Sequence, residues 1–218
     1  RFRYTEKKEI LSERENNMKV SSSMNLQRRL YIEDSLLGNA RLHPFAWALD
    51  SKNGGNTPCV EVRAEDGTLI IIDCGSGIRE LGNALLALRK PVKGSILLSH
   101  THWDHIQGLP FFKPAYIPGN KLHFYSPLDD LQDRLVYQTT DRFFPMPFMA
   151  TASEKHFHKL TGPIDLGGVQ VDHHPLKHPG GCFAYKFSKD GHAFIFATDA
   201  EFTGTDLEHP EEYKPFFY

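Results

Sequence analysis

The chain has 218 residues, 40 % of them hydrophobic and 12 % aromatic, enough for one domain with a sizeable core; its formal net charge of −2 gives no global field for nucleic acid or acidic membranes. No apolar run approaches the roughly 18 residues of a membrane-spanning helix, and no charged-then-apolar leader opens the sequence, so the cytoplasm is the expected compartment. Three cysteines, Cys59, Cys74 and Cys182, are odd in number and far apart, with no CxxC pair; they are expected to be reduced and mostly buried.

Residues 1 to 29 carry eight Lys or Arg against four Glu and little sustained periodicity, which reads as a charged tail or linker, with a short helix conceivable over Glu6 to Arg14. Residues 30 to 218 then form one domain. Residues 59 to 62 and 68 to 72 are two strands of a hairpin turned at Asp66 and Gly67, and the second ends in Asp73. After a small-residue corner at Gly75 to Gly77, Ile78, Leu81, Leu85 and Leu88 recur at helical spacing, and Pro91 stops that helix. Ser95 to Ser99 is a buried strand, 106 to 112 a helix or loop, 122 to 125 a short strand and 128 to 137 a helix.

The proline-broken apolar run Phe143 to Phe148 is a cap on the core, a lid over a site or a contact between two copies. Strands at 169 to 172, 182 to 187 and 194 to 197 follow. Strand-rich order with intervening helices predicts an α/β sandwich whose sheets carry the site at their strand ends. The chain starts at Arg1 and stops on Phe216, Phe217 and Tyr218 without a turn signal, so it is expected to continue.

Directly after the strand come His100, Thr101, His102, Trp103, Asp104 and His105. Four metal-ligating side chains in six positions are hard to explain as packing. Period two sends His100 and His102 off the strand end on one side, toward one ion, while Asp104 and His105 reach a neighbouring ion after the turn. Imidazole and carboxylate ligands suit zinc, manganese or iron, and ions about 3.5 to 4 Å apart are the usual two-metal arrangement for hydrolysis.

Two ions need more ligands, and downstream strand ends supply them. His178 precedes Pro179, Gly180 and Gly181, where the backbone can approach a site closely, and Asp199 follows the last strand. His173 and His174 compete with His178 for the same place. Asp73, at its own strand end, is expected to hold a ligand histidine by hydrogen bond.

The segments HTHWDH at 100 to 105, IIDCGSG at 71 to 77, HPGG at 178 to 181 and FATDAE at 196 to 201 resemble the metallo-β-lactamase superfamily of metal-dependent hydrolases. The resemblance covers roughly residues 53 to 207 and implies an αββα sandwich whose C-terminal part is truncated here. GGNTPCVEVR at 54 to 63, IRELG at 78 to 82, HIQGLPFF at 105 to 112 and the FFPMPF run resemble a bacterial branch related to cyclic-nucleotide phosphodiesterases and tRNA 3′-processing nucleases. Position by position it implies that His100, His102 and His178 hold the first ion and that Asp104 and His105 hold the second. Asp199 bridges the two. Zinc is the first expectation, with manganese or iron as alternatives.

Two departures stand out. The strand and glycine-rich loop that the family places before GGNT are altered over Tyr31 to Asp50. The family's last histidine for the second ion is expected beyond Tyr218, because His209 comes too soon after Asp199. The resemblance implies a phosphodiesterase that attacks with a metal-bridging hydroxide oriented by Asp104, acting on a small molecule such as a 3′,5′-cyclic nucleotide. An RNA 3′-end endonuclease and a non-catalytic metal-binding relative are the alternatives, and a homodimer through Phe143 to Phe148 is an expectation of the resemblance alone. Residues 111 to 160 hold six Lys or Arg against five Asp or Glu with no basic run, which favours the small substrate over nucleic acid.

Overall fold

The computed structural model describes residues 19–21, 55–201 and 216. β1 (Lys19–Ser21), β2 (Val60–Arg63), β3 (Leu69–Ile72), β4 (Lys93–Leu97), β5 (Lys121–Ser126) and β6 (Glu154–Lys159) form one sheet in that order. β1 to β3 pair antiparallel and β3 to β6 parallel. A second, antiparallel sheet runs β10 (His192–Phe196), β9 (Cys182–Lys189), β8 (Val169–Leu176), β7 (Ile164–Leu166).

All four residues of β3 are buried because both of its faces are covered. Leu69 and Ile71 face a layer with Ile96, Leu122, Phe124 and the helix α1 (Gly77–Ala87), while Ile70 and Ile72 face Val171, Tyr185, Phe187 and Phe196 of the second sheet. Each such fully buried Leu or Ile contributes about 1.5–3 kcal/mol. Among the described residues helix, sheet and sheet thus stack in that order, and Phe216 packs with Leu176, Cys182 and Ala184 on the outer face of the second sheet. Phe112 lies so close to α1 that a Cβ on Gly82 would come within 2.9 Å of its ring.

The hairpin, α1 and the strand before HTHWDH lie where expected, with shifted ends. α1 stops at Ala87 because Arg89 turns left-handed (φ 53°), before Pro91 is reached. Helix α3 is Leu131–Gln138, starting later than 128, with Asp130 accepting from Arg134. β6 and β7 were not expected at all. β8 runs on to Leu176, so His173 and His174 lie inside it, paired with Tyr185 and Ala184, rather than after its end. In the 143–148 run Phe148 is buried against Phe124, whereas Phe143 and Met146 are exposed. Lys19–Ser21, in the segment read as a tail, adds a strand beside β2. The helix considered at 6–14, the altered segment 31–50 and His209 fall outside the described residues. All three cysteines are buried and free.

Candidate metal centre

The centre forms where β3 and β4 end. Asp73 leaves β3 in a left-handed conformation (φ 60°), buried, with a carboxylate that accepts from three donors. The Ser99 amide reaches Oδ1 at 2.8 Å, and the Ser99 hydroxyl and His105 Nδ1 each reach Oδ2 at 2.7 Å. The expected hydrogen bond from Asp73 to a histidine is therefore made, and to His105. With Nδ1 engaged, His105 turns Nε2 outward, 3.3 Å from Asp104 Oδ2 and 3.5 Å from Asp199 Oδ2.

The HTHWDH segment is stitched to the corner after β3. Cys74 donates its amide to His105 carbonyl oxygen at 2.7 Å, and Gly108 donates to Cys74 at 2.9 Å. The backbones meet so tightly that a Cβ on Gly108 would lie 2.1 Å from the Gly75 carbonyl oxygen, and one on Gly75 2.4 Å from that of Asp104. Within the segment Trp103–Ile106 is a single helical turn, α2. α3 supports it from outside: Arg134 donates to the Thr101 hydroxyl and Gln138 to the Ile106 carbonyl.

The second sheet brings the remaining groups. Gly180 and Gly181 both have positive φ, which closes the turn after His178 and lets that backbone pass close to His102. His178 Nε2 lies 3.0 Å from His102 Nδ1 and 3.7 Å from Asp199 Oδ2. His100, buried, has Nδ1 against the Ser99 hydroxyl at 3.1 Å and Nε2 3.6 Å from Asp199 Oδ2. A backbone bond from Phe183 to Ser99 joins the two sheets beside these side chains, and one from Glu201 to Lys177 ties the ends of β8 and β10 within the second sheet.

The six side chains fall into two overlapping groups with ligand atoms within 4.8 Å of one another: His100, His102, His178 and Asp199, and Asp104, His105 and Asp199. His173 and His174 belong to neither, and the His174 ring lies on Phe216. Ser99 is the residue that sequence reasoning missed. A hydroxyl between a buried strand and a ligand histidine, one residue before His100, is the signal that marks it.

Electrostatics bears on what fits. Burial, reinforced by the neighbouring His105, pushes the His100 imidazole down to about 3. Burial opposes charge on His105 too, but the Asp199 and Asp73 carboxylates override it and hold that imidazole up at about 10. Its neighbour Asp199 is lowered by His105. His100 Nε2 and His105 Nε2 are buried nitrogens with no hydrogen-bond partner among the described residues. Both converge with carboxylate oxygens on one opening, a donor set that suits divalent cations, so the residues fit metal.

A family model described as a beta-lactamase superfamily domain matches residues 68–216. A probable metallo-hydrolase of Streptococcus pyogenes is 28 % identical over 147 residues, which is 64 % of this chain and 60 % of the relative's length. Among solved structures, the metallo-β-lactamase fold protein YhfI from Bacillus subtilis aligns with a TM-score of 0.50 at 18 % identity, over 70 % of this chain and 58 % of that one. The short form of human tRNase Z aligns with a TM-score of 0.47 at 16 % identity, over 69 % and 65 %. No helix among the described residues is long and apolar enough to cross a membrane. Since the family match spans most of the sequence and contains every one of the converging imidazoles and carboxylates, the chain belongs to the metallo-β-lactamase superfamily of hydrolases.

Proposed function

We propose that this chain hydrolyses a phosphodiester, a 3′,5′-cyclic nucleotide in the first place, with two divalent cations, zinc ahead of manganese or iron. The observation that carries the metal-dependent reading is the convergence of the buried His100 and His105 Nε2 atoms, neither in a hydrogen bond, on the Asp199 carboxylate. His100, His102 and His178 hold one cation, Asp104 and His105 the other, and Asp199 belongs to both sets. Bound there, such a pair supplies positive charge for the phosphoryl oxygens and lowers the pKa of a coordinated water from about 15.7 toward 7.

The chain's own groups set the geometry. Asp73 and Ser99 lock the His105 and His100 rings so that each presents Nε2. Asp104, its side chain 51 % exposed, stands at the mouth and takes the proton of the attacking water. The near-balanced charge of residues 111 to 160 supports a small substrate over a nucleic-acid backbone. The buried, unpaired cysteines support the cytoplasm as its compartment.

A substrate panel with zinc or manganese supplied tests the reading: bis-p-nitrophenyl phosphate, cyclic AMP and GMP, an RNA 3′-end precursor, a lactone and a β-lactam. Cyclic nucleotides are expected to turn over fastest, and His102→Ala and Asp199→Ala to abolish turnover. Cleavage confined to the RNA, or to the lactone or β-lactam, overturns the substrate. Metal uptake without turnover of anything overturns the enzyme.

A further inference from the structure

Ser99 follows β4 and precedes the ligand His100, and its hydroxyl has more neighbours than one proton can serve. The oxygen is 2.7 Å from Asp73 Oδ2, 3.1 Å from His100 Nδ1 and 3.5 Å from His105 Nδ1. Ser99, Asp73, His100 and His105 are all exposed by 1 % or less, so these polar groups must satisfy one another.

A hydroxyl carries one proton and two lone pairs, and a carboxylate only accepts. The shortest contact takes the proton, so Ser99 donates to Asp73 Oδ2. Toward His100 the oxygen can then only accept, which requires the hydrogen on His100 Nδ1 and leaves the lone pair on Nε2. His105 Nδ1 donates to Asp73 Oδ2 at 2.7 Å, and its longer approach to Ser99 carries no bond of its own. Cys182 Sγ lies 3.6 Å from His100 Nδ1, and a thiol donating there would impose the opposite tautomer. His100 belongs to one group of converging ligands and His105 to the other.

We propose that Ser99 is a positioning residue whose hydroxyl fixes His100 in the Nδ1–H tautomer and links it to Asp73, so that one buried carboxylate serves an imidazole of each ligand group. The hydrogen-bond chain stands on the geometry, while its consequence for cation uptake rests on the metal-dependent reading above. Asp73 reaches His105 directly and His100 only through Ser99. Removing the hydroxyl therefore unpairs His100 Nδ1 and spares the bond to His105, whereas a changed carboxylate disturbs both. The Ser99 amide, 2.8 Å from Asp73 Oδ1, stays in place whatever the side chain. In a buried chain of this kind each hydrogen bond polarises the next, so Ser99 and Asp73 act as a unit.

The first measurement reads the tautomer from the 15N shifts of the imidazole rings in the metal-free protein at neutral pH, with His100 assigned from a His100→Gln variant. The unaltered protein is expected to hold its hydrogen on Nδ1 of His100, and Ser99→Ala to lose that fixed state. Protonation at Nε2 in the unaltered protein overturns the proposal and gives the contact to Cys182. A tautomer that Ser99→Ala leaves unchanged overturns it as well. The second measurement follows Zn2+ uptake in competition with a chelator, where Ser99→Ala is expected to weaken affinity by about 10-fold. Combined with Asp73→Asn, the loss is expected to fall short of the product of the two separate losses, as for residues of one network. A full product overturns the shared anchor. Should Ser99→Ala fail to fold, the tautomer of the unaltered protein decides alone. The ring shifts need neither metal nor turnover, so a protein that takes up no Zn2+ sinks the metal-dependent reading while the tautomer still decides the role of Ser99.

Discussion

Asp73 illustrates how one buried side chain governs the centre without belonging to either ligand group. Its carboxylate takes the Ser99 amide, the Ser99 hydroxyl and His105 Nδ1, so the ring that presents Nε2 is held by a charge-assisted bond at 2.7 Å. Loss of such an outer partner typically costs about 10–100-fold in metal affinity, and Asp73→Ala is expected to fall in that range when zinc uptake is followed in competition with a chelator. Asp73→Asn separates charge from backbone, since asparagine tolerates the left-handed conformation. It is expected to keep the fold and lose affinity; an affinity unchanged in both variants would mean that His105 is oriented by packing alone.

His105 also makes metal uptake proton-linked. The Asp199 and Asp73 carboxylates raise its pKa to about 10, so at neutral pH the imidazole carries a proton that a cation must displace. Zinc affinity is therefore expected to rise with pH from 6 to 8. Calorimetry in two buffers of different ionisation enthalpy is expected to show proton release on binding, and observed heats that do not depend on the buffer would remove His105 from the ligand set. Asp73 and the histidines announced themselves in sequence by following apolar strands. Ser99 did not, because a serine at a strand end is ordinary until its two partners are known.

At the scale of elements, the tight junction between the Gly75 corner and the turn after α2 sets the position of the whole HTHWDH segment. A Cβ at Gly108 would meet the Gly75 carbonyl at 2.1 Å, and neither backbone can give way without moving Cys74 or His105. Gly108→Ala is expected to destabilise the fold by about 3 kcal/mol in chemical denaturation and to weaken metal binding with it. Full stability in that variant would show that the corner is compliant. Elements with a one-sided or continuous apolar pattern were readable: Ile78, Leu81 and Leu85 gave α1, and the run Leu69 to Ile72 gave β3. β6 was invisible because, at the edge of its sheet, only Phe157 faces the core while Glu154, His156 and His158 look outward. The length of β8 was hidden for a related reason. Asp172, His173 and His174 interrupt the hydrophobic alternation, yet backbone pairing to β9 carries the strand through them to Leu176.

For the molecule as a whole, the centre lies astride the two sheets. His100, His102, Asp104 and His105 come from the first, whereas His178 and Asp199 come from the loops of the second. A ligand that binds the folded state alone, present at about 100 times its dissociation constant, adds about 2.7 kcal/mol to stability. Chelation is accordingly expected to lower the denaturation midpoint and zinc to restore it, with Mg2+, a poor match to imidazole, restoring little. A midpoint indifferent to chelator would indicate that the sheets dock without any help from a cation.

The backbone links from Phe183 to Ser99 and from Glu201 to Lys177 carry a consequence in time as well as in space. During synthesis on the ribosome the HTHWDH segment emerges long before residue 199, so until then only His100, His102, Asp104 and His105 of the six converging side chains are present, or five once His178 follows. The full donor set is assembled only after β9 and β10 have closed over the earlier strands, which makes completion of the centre a late event of folding.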